Sequence, residues 1–212
     1  MIEQGSDIKK SALIIVDMQN DFVHPEGEFG ILAKTHPERK IDFDFLSSPI
    51  ANVKRLADAF REAGRPVIYI AHVVKEDYSD AAFPYWRRPR RGNSEFIMEG
   101  TWGAEVIDEL APQEGENVVI KKGFGGFGHT QLDTILRNYE VSTCVVTGVT
   151  TCVCVSTTIR GGVENNYRMI IVEDGTAEIQ KEMHDHEMKT MARIFAEVKS
   201  SDEVITMLDE MN

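Results

Sequence analysis

Val145-Val-Thr-Gly-Val-Thr-Thr-Cys-Val-Cys-Val-Ser-Thr-Thr158 is a β-branched run that passes through a glycine into two cysteines and a helix-compatible segment. Such a stretch reads as a buried strand, a turn and the opening of a helix. A thiol in the first helical turn meets unpaired N–H groups and the positive end of the helix dipole, which favour thiolate over thiol and can hold a developing oxyanion. Buried cysteines also pack where strands meet helices, and the segment alone leaves that reading open.

Working outward, the same alternation of short apolar runs and amphipathic segments recurs along the chain. Strands are expected at Ala12 to Asp17, Val67 to His72, Val118 to Lys121, Thr143 to Gly148, Arg168 to Val172 and near Ala196 to Lys199. Ile50 to Ala63 carries Val53, Leu56, Ala57 and Phe60 at helical spacing, with Gly64 as a stop. Further helices are expected near Trp102 to Leu110, Thr130 to Asn138, Val153 to Asn165, Glu182 to Phe195 and Asp202 to Met211. This is the pattern of βαβ units, and it predicts an α/β, three-layer, doubly wound Rossmann-like fold with a mostly parallel six-stranded sheet. Ligands in such folds sit beyond the carboxyl ends of the strands, where strand order reverses.

The 212 residues suffice for one sizeable core, and no linker or repeat divides them, so one domain over 1–212 is expected. A hydrophobic content of 42% is ordinary, and no apolar run approaches the roughly 18 residues of a membrane span. The N-terminus is polar and reads as neither signal nor anchor, which points to a cytoplasmic protein. Three cysteines make a disulfide framework a poor fit. A net charge of -12 argues against nucleic acid or anionic membrane as partner, Arg87-Arg-Pro-Arg-Arg91 being a local exception.

Three reactive groups fall at or just beyond strand ends: Asp17, Lys121 and Cys154. A carboxylate to take a thiol proton, an ammonium to stabilise negative charge and a nucleophilic thiol together suit amide hydrolysis. Cys152 rivals Cys154, and Lys122 rivals Lys121.

With these residues in view, the chain resembles the cysteine hydrolases of the isochorismatase-like superfamily over nearly its whole length. Asp17-Met-Gln-Asn-Asp-Phe22 is similar to the family's Asp-x-Gln-x-Asp-Phe opening. Lys121-Lys-Gly-Phe-Gly-Gly-Phe127, with Thr130 and Leu132, is similar to its Lys segment, and Gly148-Val-Thr-Thr-Cys-Val-Cys-Val155 with Thr158 to its nucleophile motif. Tyr167, Asp174 and His184 also fall where the family tends to have them. The resemblance implies Asp17 as general acid/base, Lys121 as cationic partner and Cys154 as nucleophile. It also implies a cis peptide joining Val149 to Thr150, with the Thr150 and Cys154 N–H groups as oxyanion hole, and a homodimer or homotetramer. Its motif spacing favours Cys154 over Cys152 and Lys121 over Lys122. Arg160-Gly-Gly162 departs from the family's frequent Arg-Asp-Ala, which puts the packing behind the site in question, since glycines weaken helices by up to ~1 kcal/mol each.

Phe22, Trp86, Arg87 and Phe127 are candidates for substrate contact. Residues 74–100 lack any period; Trp86 and the arginines either form part of a lid or belong to a solvated loop. No metal and no cofactor are expected, because the cysteines lack a Cys-x-x-Cys pair and the Asp-x-His arrangement of the family's metal-holding nicotinamidases is missing. His184-Asp-His186 reads as a surface feature at a helix start. The glycines after Lys121 lack the order of a phosphate loop and are read as letting the chain pass close to a substrate. Trp102-Gly-x-Glu-x-Ile-Asp-Glu-Leu110 is closest in appearance to biuret and ureidoacrylate-type amidohydrolases. The expected activity is metal-independent hydrolysis of a small amide, ureide or carbamoyl compound through a Cys154 thioester. The rivals are an isochorismatase-type vinyl ether hydrolase, whose members generally lack the cysteine, and a non-catalytic interaction protein on the same fold.

Overall fold

A computed structural model describes residues 8–82 and 95–210 of the chain. Strand β1 (Ser11–Val16) is followed by helices α1 (Asn20–Val23), α2 (Glu28–Thr35), α3 (Phe43–Ser47) and α4 (Ile50–Glu62), then β2 (Val67–His72) and β3 (Asn117–Lys121). Helix α5 (Leu132–Asn138) leads to β4 (Thr143–Val149), a π-helical turn (Thr151–Val155) and α6 (Ser156–Glu164). The chain continues with β5 (Arg168–Ala177), α7 (Lys181–Thr190), a second π turn (Met191–Phe195), β6 (Glu197–Lys199) and α8 (Ser201–Asp209).

The strands form one sheet of order β3-β2-β1-β4-β5-β6, and every pairing is parallel. Alternation along β1 sorts its side chains to two cores. Leu13 and Ile15 join Val53, Leu56 and Phe60 of α4 and Val204 and Leu208 of α8, while Ala12, Ile14 and Val16 join Leu132 and Leu136 of α5 and Ile159 of α6. Strand β1 is therefore buried on both faces, as its unbroken apolar run requires. The order reverses between β1 and β4, so the ends of these two neighbours form the switch point.

Three expectations need correction. Trp102 to Leu110 is not one helix but two single 3-10 turns, Trp102–Ala104 and Asp108–Leu110. Between them Val106 bridges Gln19, and the Ile107 N–H donates to the Met18 carbonyl at 3.0 Å, so tertiary pairing holds this stretch extended. Strand β5 runs past Val172 to Ala177, because an irregularity in its pairing with β4 lets Thr176 and Ala177 rejoin Gly148 and Val149. Gly148, read as both the end of a strand and the start of a turn, lies within β4, which runs on to Val149. At φ +106 it passes so close to β1 that a Cβ would sit 2.0 Å from the Val16 carbonyl oxygen.

Arg160-Gly161-Gly162 does not break α6. A Cβ on Gly162 would meet the Met169 sulfur at 2.4 Å, and one on Gly161 would meet Phe127 at 3.2 Å. The glycines thus let β5 and the Phe127 segment approach the helix.

Candidate active site

Strand β1 ends at Val16, paired with Ile70 on one side and Gly148 on the other, and the next residue turns out of the sheet. That residue is Asp17, with φ +51, a left-handed conformation that Asp adopts more readily than most residues. Gln19 takes over the interrupted ladder. Its carboxamide accepts the His72 N–H at 2.8 Å and donates to the His72 and Ala104 carbonyls at 3.0 and 2.7 Å. At the end of β3, Lys121 pairs in register with His72. Beyond β4, the Val149–Thr150 peptide is cis, and the Thr150 carbonyl accepts the N–H groups of Val153 and Val155 to start the π turn carrying Cys154.

These elements bring three side chains together. Lys121 Nζ lies 2.8 Å from Asp17 Oδ2 and 3.2 Å from Cys154 Sγ, and it donates to the Gly123 carbonyl at 3.1 Å. Asp17 and Lys121 are wholly buried, and Cys154 is 4% exposed. The Asp17 carboxylate thus has the Lys121 ammonium as its ion-pair partner, and Cys154 and the His72 backbone also lie close enough to affect it.

Burial raises the Asp17 pKa, with Lys121 opposing. Burial pulls Lys121 down, but Asp17 and Cys154 outweigh it and the net direction is up, so Lys121 stays an ammonium. Burial, and then the Asp17 charge, push the Cys154 thiol up against the pull of Lys121. This runs against the expectation that the turn favours a thiolate: desolvation outweighs the helix-turn N–H groups and favours the thiol form of Cys154.

The rivals separate cleanly. Lys122 pairs with Asp80 at 2.7 Å, away from this cluster. Cys152 is partly exposed, its Sγ is 3.4 Å from the Met183 carbonyl, and burial followed by the Glu178 charge pushes its pKa up to about 12. Cys144 packs wholly buried in the core against α5 and α6. Of the substrate candidates, Phe22 sits edge-on to Phe29 and Phe96 at 5.4 and 5.3 Å, and Phe127 packs on Tyr167 at 5.6 Å. Trp86 and Arg87, with the rest of the arginine cluster, lie outside the described residues.

One residue at the site was not singled out from sequence, and another was placed wrongly. His72 is fully buried, and one ring nitrogen lies within 4.8 Å of both an Asp17 oxygen and Cys154 Sγ. The strand-end criterion that found Asp17 and Lys121 applies to it equally, since it closes β2. Burial, and then the Lys121 charge, lower its pKa to about 3, so it is a neutral imidazole. His184, expected on the surface, is instead 3% exposed with Nδ1 2.9 Å from Thr151 Oγ1.

Asp17, His72 and Cys154 offer a donor set of the kind that holds a metal ion. The Lys121 ammonium already supplies the positive charge to two of these three groups.

An isochorismatase domain model matches residues 11–203. The fold is similar to that of a cysteine hydrolase from Pseudomonas syringae pv. phaseolicola, with TM-score 0.85 and 28% identity over 100% of this chain and 98% of that one. It is also similar to an N-carbamoylsarcosine amidase from Thermoplasma acidophilum, with TM-score 0.71 and 31% identity over 91% of this chain and 97% of that one. An isochorismatase family protein from Desulfovibrio vulgaris matches with TM-score 0.78 and 25% identity over 95% and 97% of the two chains. Together with the all-parallel sheet and the buried Asp17, Lys121 and Cys154 at its switch point, the domain match shows that the chain belongs to the isochorismatase family of hydrolases.

Proposed function

We infer that the protein hydrolyses a C–N bond in a small amide, ureide or carbamoyl compound through a thioester on Cys154. The observation that carries this reading is the shared ammonium, 2.8 Å from the Asp17 carboxylate and 3.2 Å from the Cys154 thiol. Asp17 takes the thiol proton as sulfur attacks the substrate carbonyl, and the resulting oxyanion is held by the Thr150 and Cys154 N–H groups. Collapse breaks the C–N bond, and the leaving nitrogen takes the proton back from Asp17. Water, deprotonated by Asp17, then attacks the thioester and returns the thiol. Lys121 stays charged throughout and offsets the negative charge that moves between carboxylate, sulfur and oxyanion.

Support comes from the retained thiol, which hydrolysis of a vinyl ether does not require, and from the likeness to an amidase. The test is ammonia release across a panel of small amides and ureides, run beside Cys154→Ala. Release that vanishes in the variant is expected. Release that survives it, or no release from any amide or ureide while a vinyl ether tested alongside is cleaved, overturns the reading. The active form is proposed to be a homodimer or homotetramer; sedimentation at the 23.9 kDa of one chain would refute that.

A further inference from the structure

The turn that carries Cys154 is held from behind by two buried side chains that take no part in bond breaking. Because β5 rejoins β4 through the pairs Gly148 with Thr176 and Val149 with Ala177, the next residue, Glu178, emerges beside the π turn. Glu178 is 2% exposed. Oε2 accepts the Cys152 N–H at 2.8 Å, and Oε1 accepts the Ile179 N–H at 2.9 Å. From α7, His184 reaches the preceding residue, with Nδ1 2.9 Å from Thr151 Oγ1, and the Phe45 ring stands edge-on to the imidazole at 5.3 Å. The first two residues of the turn are thus tied, Thr151 through its side chain to α7 and Cys152 through its backbone to the segment joining β5 and α7.

We propose that Glu178 and His184 are positioning residues, a clamp that fixes Thr151 and Cys152 and so holds Cys154 Sγ against Lys121. The proposal rests on the reading of Cys154 as nucleophile. Two residues separate the clamped N–H from Cys154, so a rotation of the turn start moves the sulfur directly, and misplacement of a reacting group by about 1 Å can cost on the order of 100-fold in rate. A neutral acceptor would cap this N–H at lower desolvation cost than a buried carboxylate. The charge has a second effect: it disfavours thiolate at Cys152, and so keeps the neighbouring cysteine from competing with Cys154.

The experiment uses the full-length protein as Glu178→Ala, Glu178→Gln, His184→Ala and His184→Asn, with Cys154→Ala alongside. For each variant, kcat and KM are measured on an amide that the wild type hydrolyses, and iodoacetamide labelling of Cys152 and Cys154 is counted by mass spectrometry. The alanine variants should lose about 10- to 100-fold in kcat with KM within about 2-fold, since only the placement of the reacting group changes. Glu178→Gln and His184→Asn, which keep a hydrogen-bonding atom, should recover most of that loss. In Glu178→Gln the ratio of Cys152 to Cys154 labelling should rise about 3-fold or more as the negative charge is removed. Folded alanine variants with wild-type kcat, conservative variants as impaired as the alanines, or a loss carried by KM would overturn the clamp. Should the alanine variants fail to fold, Glu178→Asp and His184→Gln, which keep the polar group but change its reach, decide: a loss of about 10-fold or more in kcat with KM little changed supports the clamp, and wild-type kcat overturns it. Activity surviving in Cys154→Ala would instead sink the thioester reading, a separate outcome.

Discussion

The proton shared among Asp17, Lys121 and Cys154 sets what each group can do. Burial raises Asp17 and, with the Asp17 charge, raises Cys154, while its anionic neighbours hold Lys121 up as an ammonium. Catalysis then needs Asp17 ionised, so the acid limb of kcat/KM should fall above the 3.8 of an ordinary aspartate, as a profile between about pH 4 and 9 will show. An acid limb at or below that value would mean that Asp17 is not the base. In the same assay Cys154→Ser should lose at least about 1000-fold, because a hydroxyl is a far poorer nucleophile without a stronger base, while Cys152→Ser keeps most of the activity. A metal ion placed among Asp17, His72 and Cys154 would face the Lys121 ammonium a few ångströms away. At an effective dielectric of about 20, a dication about 4 Å from that charge is opposed by about 8 kcal/mol. Dialysis against a chelator should therefore leave turnover unchanged; loss of activity restored by zinc, iron or manganese would contradict the assignment of the positive charge to Lys121.

Gly148 shows how one element places another. With φ +106 and a Cβ position 2.0 Å from the Val16 carbonyl oxygen, Gly148→Ala combines a backbone conformation hostile to L-residues with a clash against backbone that cannot swing away. The expected cost is about 3 kcal/mol or more, read as a lowered urea midpoint. Gly162→Ala meets the flexible end of Met169 and, at 3.3 Å, the edge of the Phe127 ring, and gains helix propensity of up to ~1 kcal/mol, so its midpoint should move much less. Equal shifts in the two variants would refute the distinction. The strands were legible in sequence because β-branched runs such as Val145-Val-Thr147 announce burial on both faces. Helices α1 and α3 were not, since four and five residues are too few to show a period. The segment from Trp102 to Leu110 misled for a related reason: its apolar spacing suits a helix, but pairing with Gln19 and Met18 is tertiary and leaves no local mark.

Across the whole molecule, the strand-end rule made the triad legible because a parallel sheet brings all carboxyl ends to one rim. His72 meets that rule too but was passed over, and His184 was named yet read as a surface residue, because nothing local distinguishes a buried neutral histidine from an exposed one; their burial is set by β3 and by the π turn, far away in sequence. Those two histidines also shape how stability depends on pH. Both have folded-state pKa values below the ordinary 6.5, His72 at about 3, with burial as the leading cause. Below pH 6.5 the unfolded chain therefore binds protons that the folded protein refuses, so their contribution is fully present above that pH and is lost as pH falls toward the folded values. The slope is up to about 1.4 kcal/mol per pH unit for each histidine. Asp17 and Asp21, raised by burial, act in the opposite sense over the window above 3.8, and neutralising a net charge of -12 relieves self-repulsion. A histidine variant isolates the term: urea unfolding of His72→Gln between about pH 7 and 5 should lose less stability than the wild type by about 1–2 kcal/mol. Equal losses would show that His72 accepts a proton in the folded protein, and with it that the imidazole beside Asp17 and Cys154 is not held neutral.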